Sequence, residues 1–154
     1  MSSRRVDILV ATMTGLAQVC AEEVTVALDH AGISSTTRLM DNLSADAVAD
    51  ADLVVIISST YGHGDIPDNG QAFFEAISAV ETLEGKAFMV FGLGDRTYSD
   101  TFCHAGEKWD DLFAAKRATR LLPLERHDAS SGSLAEDEAG AWAARWSAIL
   151  KVAA

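Results

Sequence analysis

Residues 58–74 read SSTYGHGDIPDNGQAFF, directly after the apolar run Leu53-Val-Val-Ile-Ile57. A short unbroken apolar run predicts a strand buried on both faces. After it come small hydroxyl residues, Tyr61, two glycines, an acid and a proline, and then a helical apolar pattern. A core strand thus opens into an irregular loop at its carboxyl end, which is where ligands sit in open α/β sheets. Tyr61 offers a flat ring face, and Gly62 and Gly64 let backbone groups come close. Taken alone, the stretch fits an ordinary strand-to-helix connection equally well, so the flanking sequence decides.

Upstream, Val6 to Ala11 predicts a first strand, followed at once by TMTGLA at 12–17. A helix begins there, with Leu16, Cys20, Val24 and Leu28 on one stripe, and Gly32 ends it. Ser35 to Met40 reads as a weak strand, and Asp41 to Asp52 as a short exposed helix. Downstream, Gly70 to Val80 is expected to be a helix with Phe73, Ile77 and Val80 inward. Ala87 to Phe91 predicts a strand leading into the loop GLGDRTYSDTF at 92–102. The next helix carries Ala105, Trp109, Leu112 and Phe113 on one face. Ala118 to Leu124 is expected to be the fifth strand, with Pro123 at its exit, and His127 to Leu134 a polar loop. The last helix, Glu136 to Val152, is expected to turn Trp142, Trp146, Ile149 and Leu150 inward.

Five alternations of strand and helix predict the α/β class: a three-layer α-β-α sandwich around a five-stranded parallel sheet. Five strands suit the order 2-1-3-4-5. That order makes the first, third and fourth strands central, and the loops leaving their carboxyl ends are the three unusual ones.

At 154 residues and 49% apolar, residues 1–154 are expected to form a single domain with a full core. The net charge of −11 argues against nucleic acid and anionic membrane surfaces as partners, and permits a basic protein partner. Two distant cysteines, Cys20 and Cys103, fit a reduced cytoplasmic setting better than a disulfide scaffold. Ser2-Ser3-Arg4-Arg5 is followed by Asp7 and a short strand, not by a long apolar segment, so export is not expected. No apolar run approaches a membrane span.

TMTGLA joins a strand to a helix amino terminus, where free N–H groups and the helix dipole favour an anion. Thr12 and Thr14 add hydroxyl donors, Gly15 allows close approach, and the loop has no lysine or arginine. A phosphate there would be held by neutral donors, as suits an enclosed monoester; from this loop alone, Thr14 acting simply as a helix cap reads as well. The loop lacks the GxxxxGK[ST] pattern of nucleotide hydrolases. GLGDRT fails GxGxxG, because Thr97 stands where glycine is required. Tyr61 and Tyr98 then stand at the ends of adjacent central strands, placed to sandwich a planar ring. Phosphate pocket plus aromatic slot points to a mononucleotide with a large flat head, a description flavin mononucleotide (FMN) fits. No metal ligand set is evident.

These loops carry a family resemblance. TMTGLA resembles the phosphate loop of flavodoxins. SSTYGHGDIPDN and GLGDRTYSDTFC look like the two flavin-ring loops in the form seen in FMN domains of diflavin reductases, and the chain is most similar to short-chain, MioC-type flavodoxins. The resemblance extends to HDASSG at 127–132. It implies that Thr12, Met13, Thr14, Gly15, Leu16 and Ala17 wrap the phosphate. Ser59, Thr60, Tyr61, Gly62, His63 and Gly64 would line one ring face. Leu93, Gly94, Asp95, Tyr98, Phe102 and Cys103 would line the other, with Asp128 an acid near the ring.

The resemblance further implies a low-potential one-electron carrier rather than an enzyme, served by an NAD(P)H-dependent flavodoxin or ferredoxin reductase. It would deliver electrons to a basic-faced acceptor enzyme, and a monomer is expected. The alternatives are an FMN-dependent NAD(P)H oxidoreductase or a fragment of a diflavin reductase. A phospho-acceptor signalling domain shares the topology, but Ser58, Thr12–Met13 and Arg126–His127 stand where it needs an aspartate, an acid pair and a lysine.

Overall fold

The computed structural model describes residues 5–41 and 43–153, with the backbone alone for residue 99 and residues 151–153. The segment Ser2-Ser3-Arg4, on which the export argument bears, lies outside the described residues. Strands β1 (Val6–Ala11), β2 (Ser35–Leu39), β3 (Leu53–Ser58), β4 (Ala87–Gly94), β5 (Thr119–Arg120) and β6 (Glu125–Asp128) form one parallel sheet. Its order is β2-β1-β3-β4-β5, and β6 also pairs with β4. Helices α1 (Leu16–His30), α2 (Asp68–Ala79), α3 (His104–Ala115) and α4 (Ala135–Ala153) cover its faces.

Every residue of β1 and β3 is buried, as central parallel strands demand. Alternate β1 side chains feed two cores. Val6, Ile8 and Val10 pack with α1 and with Trp142 and Trp146 of α4. Leu9 and Ala11 pack with Phe73 and Ile77 of α2 and Trp109 and Phe113 of α3. The layered α/β arrangement and the strand order expected from the sequence are therefore present.

Several boundaries differ. The fifth strand is not a continuous Ala118–Leu124. It is two short pieces, Thr119–Arg120 against Ala87–Phe88 and Glu125–Asp128 against Phe91–Gly94. Pro123, which has no N–H to donate, lies in the detour between them. His127 and Asp128 thus belong to a strand, not to a loop. Among the described residues of 41–52 the helical content is one 3-10 turn, Ala45–Val48, with Val48 and Ala51 buried rather than exposed. Ile149 is 62% exposed, because the buried stripe of α4 runs through Ala139, Trp142, Trp146 and Leu150 and leaves Ile149 on its flank. Leu16, the first residue of α1, is also largely exposed, at the rim where the helix starts.

Candidate functional site

Register fixes where the loops start. Ala11 pairs with Ser58, and Ser58 with Gly92, so the three central strands end side by side. Neighbouring strands are about 4.8 Å apart, so the loops at 12–15, 59–67 and 95–103 leave one edge within roughly 10 Å of each other. The sequence expectation that they converge is met by this register.

The first loop turns on Gly15, whose φ of 94° is in the left-handed region. Thr12 Oγ1 accepts the Gly15 N–H at 2.9 Å, closing the turn. No side chain caps α1, and no acid lies in its first turn; the first helical bond runs from Val19 N–H to the Gly15 carbonyl. Thr14 therefore does not cap the helix, the alternative reading of this loop, and the N–H groups of the first helical turn beyond Gly15 are left without a side-chain acceptor. Thr14 and Met13 are exposed, whereas Ala17 is buried and would offer its N–H rather than its methyl group.

The second loop is anchored from below. Trp109 Nε1–H donates to Ser58 Oγ at 3.1 Å, and Ser58 Oγ–H donates to the Ser59 carbonyl. Phe73 and Phe74 pack against the Trp109 ring. Above this floor, Tyr61 and Asp65 exchange two backbone hydrogen bonds, of 2.8 and 2.7 Å. These close a three-residue turn, Gly62-His63-Gly64, in which both glycines have positive φ. A Cβ on Gly64 would lie 3.0 Å from the His104 ring, so glycine is needed there for packing as well. Tyr61 is half exposed, and Thr60 Oγ1 is buried without a hydrogen-bond partner.

The third loop is held by Asp95 and Asp128. Asp95 Oδ1 accepts the Thr97 N–H at 2.8 Å. Asp128 Oδ1 accepts from Arg96 N–H, Ser130 N–H and Ser130 Oγ–H, and Arg96 Nε lies 3.6 Å from its other oxygen. The Arg96 N–H foremost, then the Ser130 donors, hold this carboxyl below the ordinary aspartate range. The Arg96 guanidinium also sits 4.3 Å over the Phe102 ring. Tyr98 stands 67% exposed.

Leu93 is buried at the end of β4. Cys103 is buried too; its thiol points to the Gly92 and His127 carbonyls at 3.5 and 3.7 Å, and burial pushes its pKa up to about 12. The structure thus places Cys103 as a packed floor residue, not as an exposed contact. The cations Lys86, Lys108 and Arg96, in which the sequence shows no clamp, are each engaged elsewhere: on the Ala49 and Ala51 carbonyls, on Asp65 and on Asp128.

Asn69 is the residue that sequence reasoning missed. It lies in the first turn of α2, yet its side chain bonds to the first loop, 57 positions away. Its place beside Asp68 in the quoted stretch carries no sign of that reach. A separate groove of about 630 Å³ lies between α1 and α4, lined by Glu23, His30, Glu136, Gly140 and neighbours, away from these loops.

The residues present suit a phosphorylated flat ring. Neutral N–H donors stand open at a helix start, Thr60 Oγ1 lacks a partner, and two phenol rings stand exposed on neighbouring loops.

Comparison with known proteins agrees. The sequence profile described as Flavodoxin matches residues 8–142. An uncharacterised protein of Pseudomonas aeruginosa is 34% identical over 96% of this chain and 99% of its own. Protein MioC of Escherichia coli O157:H7 is 33% identical over 89% of this chain and 92% of its own. A solved cysteine-to-alanine mutant of flavodoxin from Pseudomonas aeruginosa superimposes with a TM-score of 0.85, at 32% identity, covering 96% of this chain and 99% of that one. The chain also matches larger proteins in part, spanning 22% of a sulfite reductase flavoprotein alpha-component from Mannheimia succiniciproducens and 12% of mouse inducible nitric oxide synthase. With its strand order, its three converging loops and these relatives together, the chain belongs to the flavodoxin family of electron-transfer flavoproteins.

Proposed function

We propose that this flavodoxin carries single electrons on FMN held by the three loops. The observation that carries this reading is the juxtaposition, at one sheet edge, of an uncapped helix start and two exposed tyrosines. When bound there, the isoalloxazine supplies the redox chemistry; the chain binds, orients and tunes it. Residues 12–17 receive the phosphate on the Thr12 and Thr14 hydroxyls and on backbone N–H groups other than those of Thr12 and Gly15, which Asn69 Oδ1 and Thr12 Oγ1 hold, without a cation. Residues 59–64 form one wall and Leu93, Gly94, Asp95, Tyr98 and Phe102 the other, with Cys103 and Asp128 supporting from below and beside. Each stacked aromatic contact contributes about 0.5–1.5 kcal/mol beyond burial.

Gly62 tolerates either peptide orientation, so its carbonyl can turn to accept a hydrogen bond from a ring N–H, the Tyr61 carbonyl being held by Asp65 N–H. Asp65, Asp95, Asp100 and Asp128 lie on the loops. One carboxylate at roughly 10 Å, at an effective dielectric near 20, disfavours added negative charge by about 1.7 kcal/mol. That corresponds to about 70 mV for one electron. Lys108 lies 3.8 Å from Asp65, and Arg96 engages Asp128, so both are partly offset. Asp95 has no ion-pair partner among the described residues, and with Asp65 it carries most of this tuning.

Met13, Leu16, Tyr61 and Tyr98 form exposed apolar positions among these acids. That mixture suits a basic-faced acceptor enzyme, with electrons supplied by a separate NAD(P)H-dependent flavodoxin or ferredoxin reductase. We place the chain in the cytoplasm, as one FMN-binding domain acting as a monomer. None of the described helices is long and apolar enough to cross a membrane. Spectra of the flavin-loaded protein test the carrier role. NADH alone should leave it oxidised and an added reductase should reduce it; steady NADH consumption by the protein alone would make it an oxidoreductase instead.

A further inference from the structure

Two segments distant in sequence, residues 10–12 and Asp41, meet on the side chain of Asn69. Its Oδ1 accepts the Thr12 N–H at 2.9 Å. Its Nδ2 donates to the Val10 carbonyl and to Asp41 Oδ1, both at 3.2 Å. The amide therefore grips the end of β1, the start of the first loop and the segment after β2. Thr12 passes the constraint on, since its Oγ1 accepts the N–H of Gly15, the left-handed residue that opens α1. A second tie runs from Asp68 N–H to Met13 Sδ at 3.5 Å. Helix α2 itself continues the second loop, so the two loops share one rigid element.

We infer that Asn69 is the positioning residue that holds the first loop in its phosphate-receiving shape, and that it thereby sets the preference for a phosphorylated flavin over an unphosphorylated one. This rests on the proposed FMN site. Both ends of the amide are already used within the chain, so Asn69 acts through Thr12 and Gly15. Without the clamp, residues 12–15 must be ordered when the ligand arrives, and that ordering cost lowers affinity. The cost falls only on ligands that use the loop. FMN uses it through its phosphate; riboflavin, which has the same ring and no phosphate, does not.

The test compares FMN and riboflavin affinities, read from flavin fluorescence, for the wild-type protein and Asn69→Ala. FMN affinity should fall about tenfold, the usual scale for losing one well-formed hydrogen-bonding side chain. Riboflavin affinity should stay within about twofold, so the preference ratio collapses. An equal loss for both ligands would make Asn69 a general structural residue and overturn the inference, as would an unchanged ratio. Should Asn69→Ala fail to fold, Asn69→Ser, which keeps a polar group at the helix start but is too short to span the three partners, gives the same comparison with the same expected outcome. A wild-type protein that binds neither flavin would sink the FMN reading itself, an outcome distinct from a wild-type preference that the variants leave intact.

Discussion

The two rims of the sheet are finished in opposite ways. At the amino-terminal rim the chain satisfies itself. Lys86 Nζ donates to the Ala49 and Ala51 carbonyls at 2.7 and 3.1 Å, and Lys116 Nζ donates to the Ser78 and Val80 carbonyls at 2.7 and 2.8 Å. Arg5 N–H donates to Asp52, closing the start of β1 against the start of β3. At the carboxyl rim α1 has no cap, the loop before it has no cation, Thr60 Oγ1 is orphaned and two tyrosines face outward. Lys86 and Lys116 close backbone carbonyls at one rim, whereas Lys108 and Arg96 at the other pair with the loop acids Asp65 and Asp128 and leave the start of α1 open. The carboxyl rim thus leaves donors and aromatic rings open to a ligand.

Substitutions at either rim put this contrast to the test. The largest effect is expected at Gly94, where floor and site coincide. A Cβ there would lie 2.6 Å from the Cys103 nitrogen and 2.9 Å from its sulfur. Gly94→Ala should cost about 3 kcal/mol by chemical denaturation and abolish tight flavin binding, because backbone must move. Normal stability would mean that the β4–α3 junction is looser than described. Next is Lys116→Met at the closed rim, which strips two carbonyls of a charged donor. Stability should fall by about 2 kcal/mol while FMN affinity is unchanged. A matching loss of affinity would erase the distinction between the rims.

At the open rim the effects invert. Gly15→Ala meets no atom within 4 Å but must adopt a φ of 94°. It should cost about 1 kcal/mol in stability and weaken FMN more than riboflavin. Tyr98→Ala removes a ring that is already mostly exposed. Melting should be unchanged, and FMN affinity should fall by about 1 kcal/mol, read by fluorescence titration. The smallest effect is the acid response of the third loop. Asp128 has a folded-state pKa below its unfolded value, so its contribution is complete above the ordinary aspartate range. It is lost as pH falls through the folded value, below about pH 4. Loosening of residues 95–102, followed by amide exchange, should appear on acidification there and be blunted in Asp128→Asn.

Much of this was legible in the sequence for identifiable reasons. Apolar runs named β1, β3 and β4, because central parallel strands bury both faces and need no polar alternation; only the buried Asp7 interrupts β1. The glycine and tyrosine loops stood out because they interrupt those runs abruptly. Edge structure was harder. β2 alternates weakly because one side of it faces solvent, and the fifth strand breaks in two around Pro123, which local pattern cannot foresee. Long-range side-chain work was invisible. Asn69 reaches Thr12 across 57 residues, Asp128 reaches Arg96 across 32, and nothing in the neighbourhood of either residue announces its partner. Cys103 could be placed at the right turn, but only its hydrogen bonds to Gly92 and His127 show that its thiol faces inward.

In the proposed function, the open rim takes FMN between Tyr61 and Tyr98 with its phosphate at the start of α1. Titrating the flavin-free protein with FMN while following flavin fluorescence tests it most directly. Saturation is expected at one flavin per chain at micromolar concentration, with emission strongly quenched by the flanking phenol rings. Flavin that remains fully fluorescent through equimolar protein would contradict it.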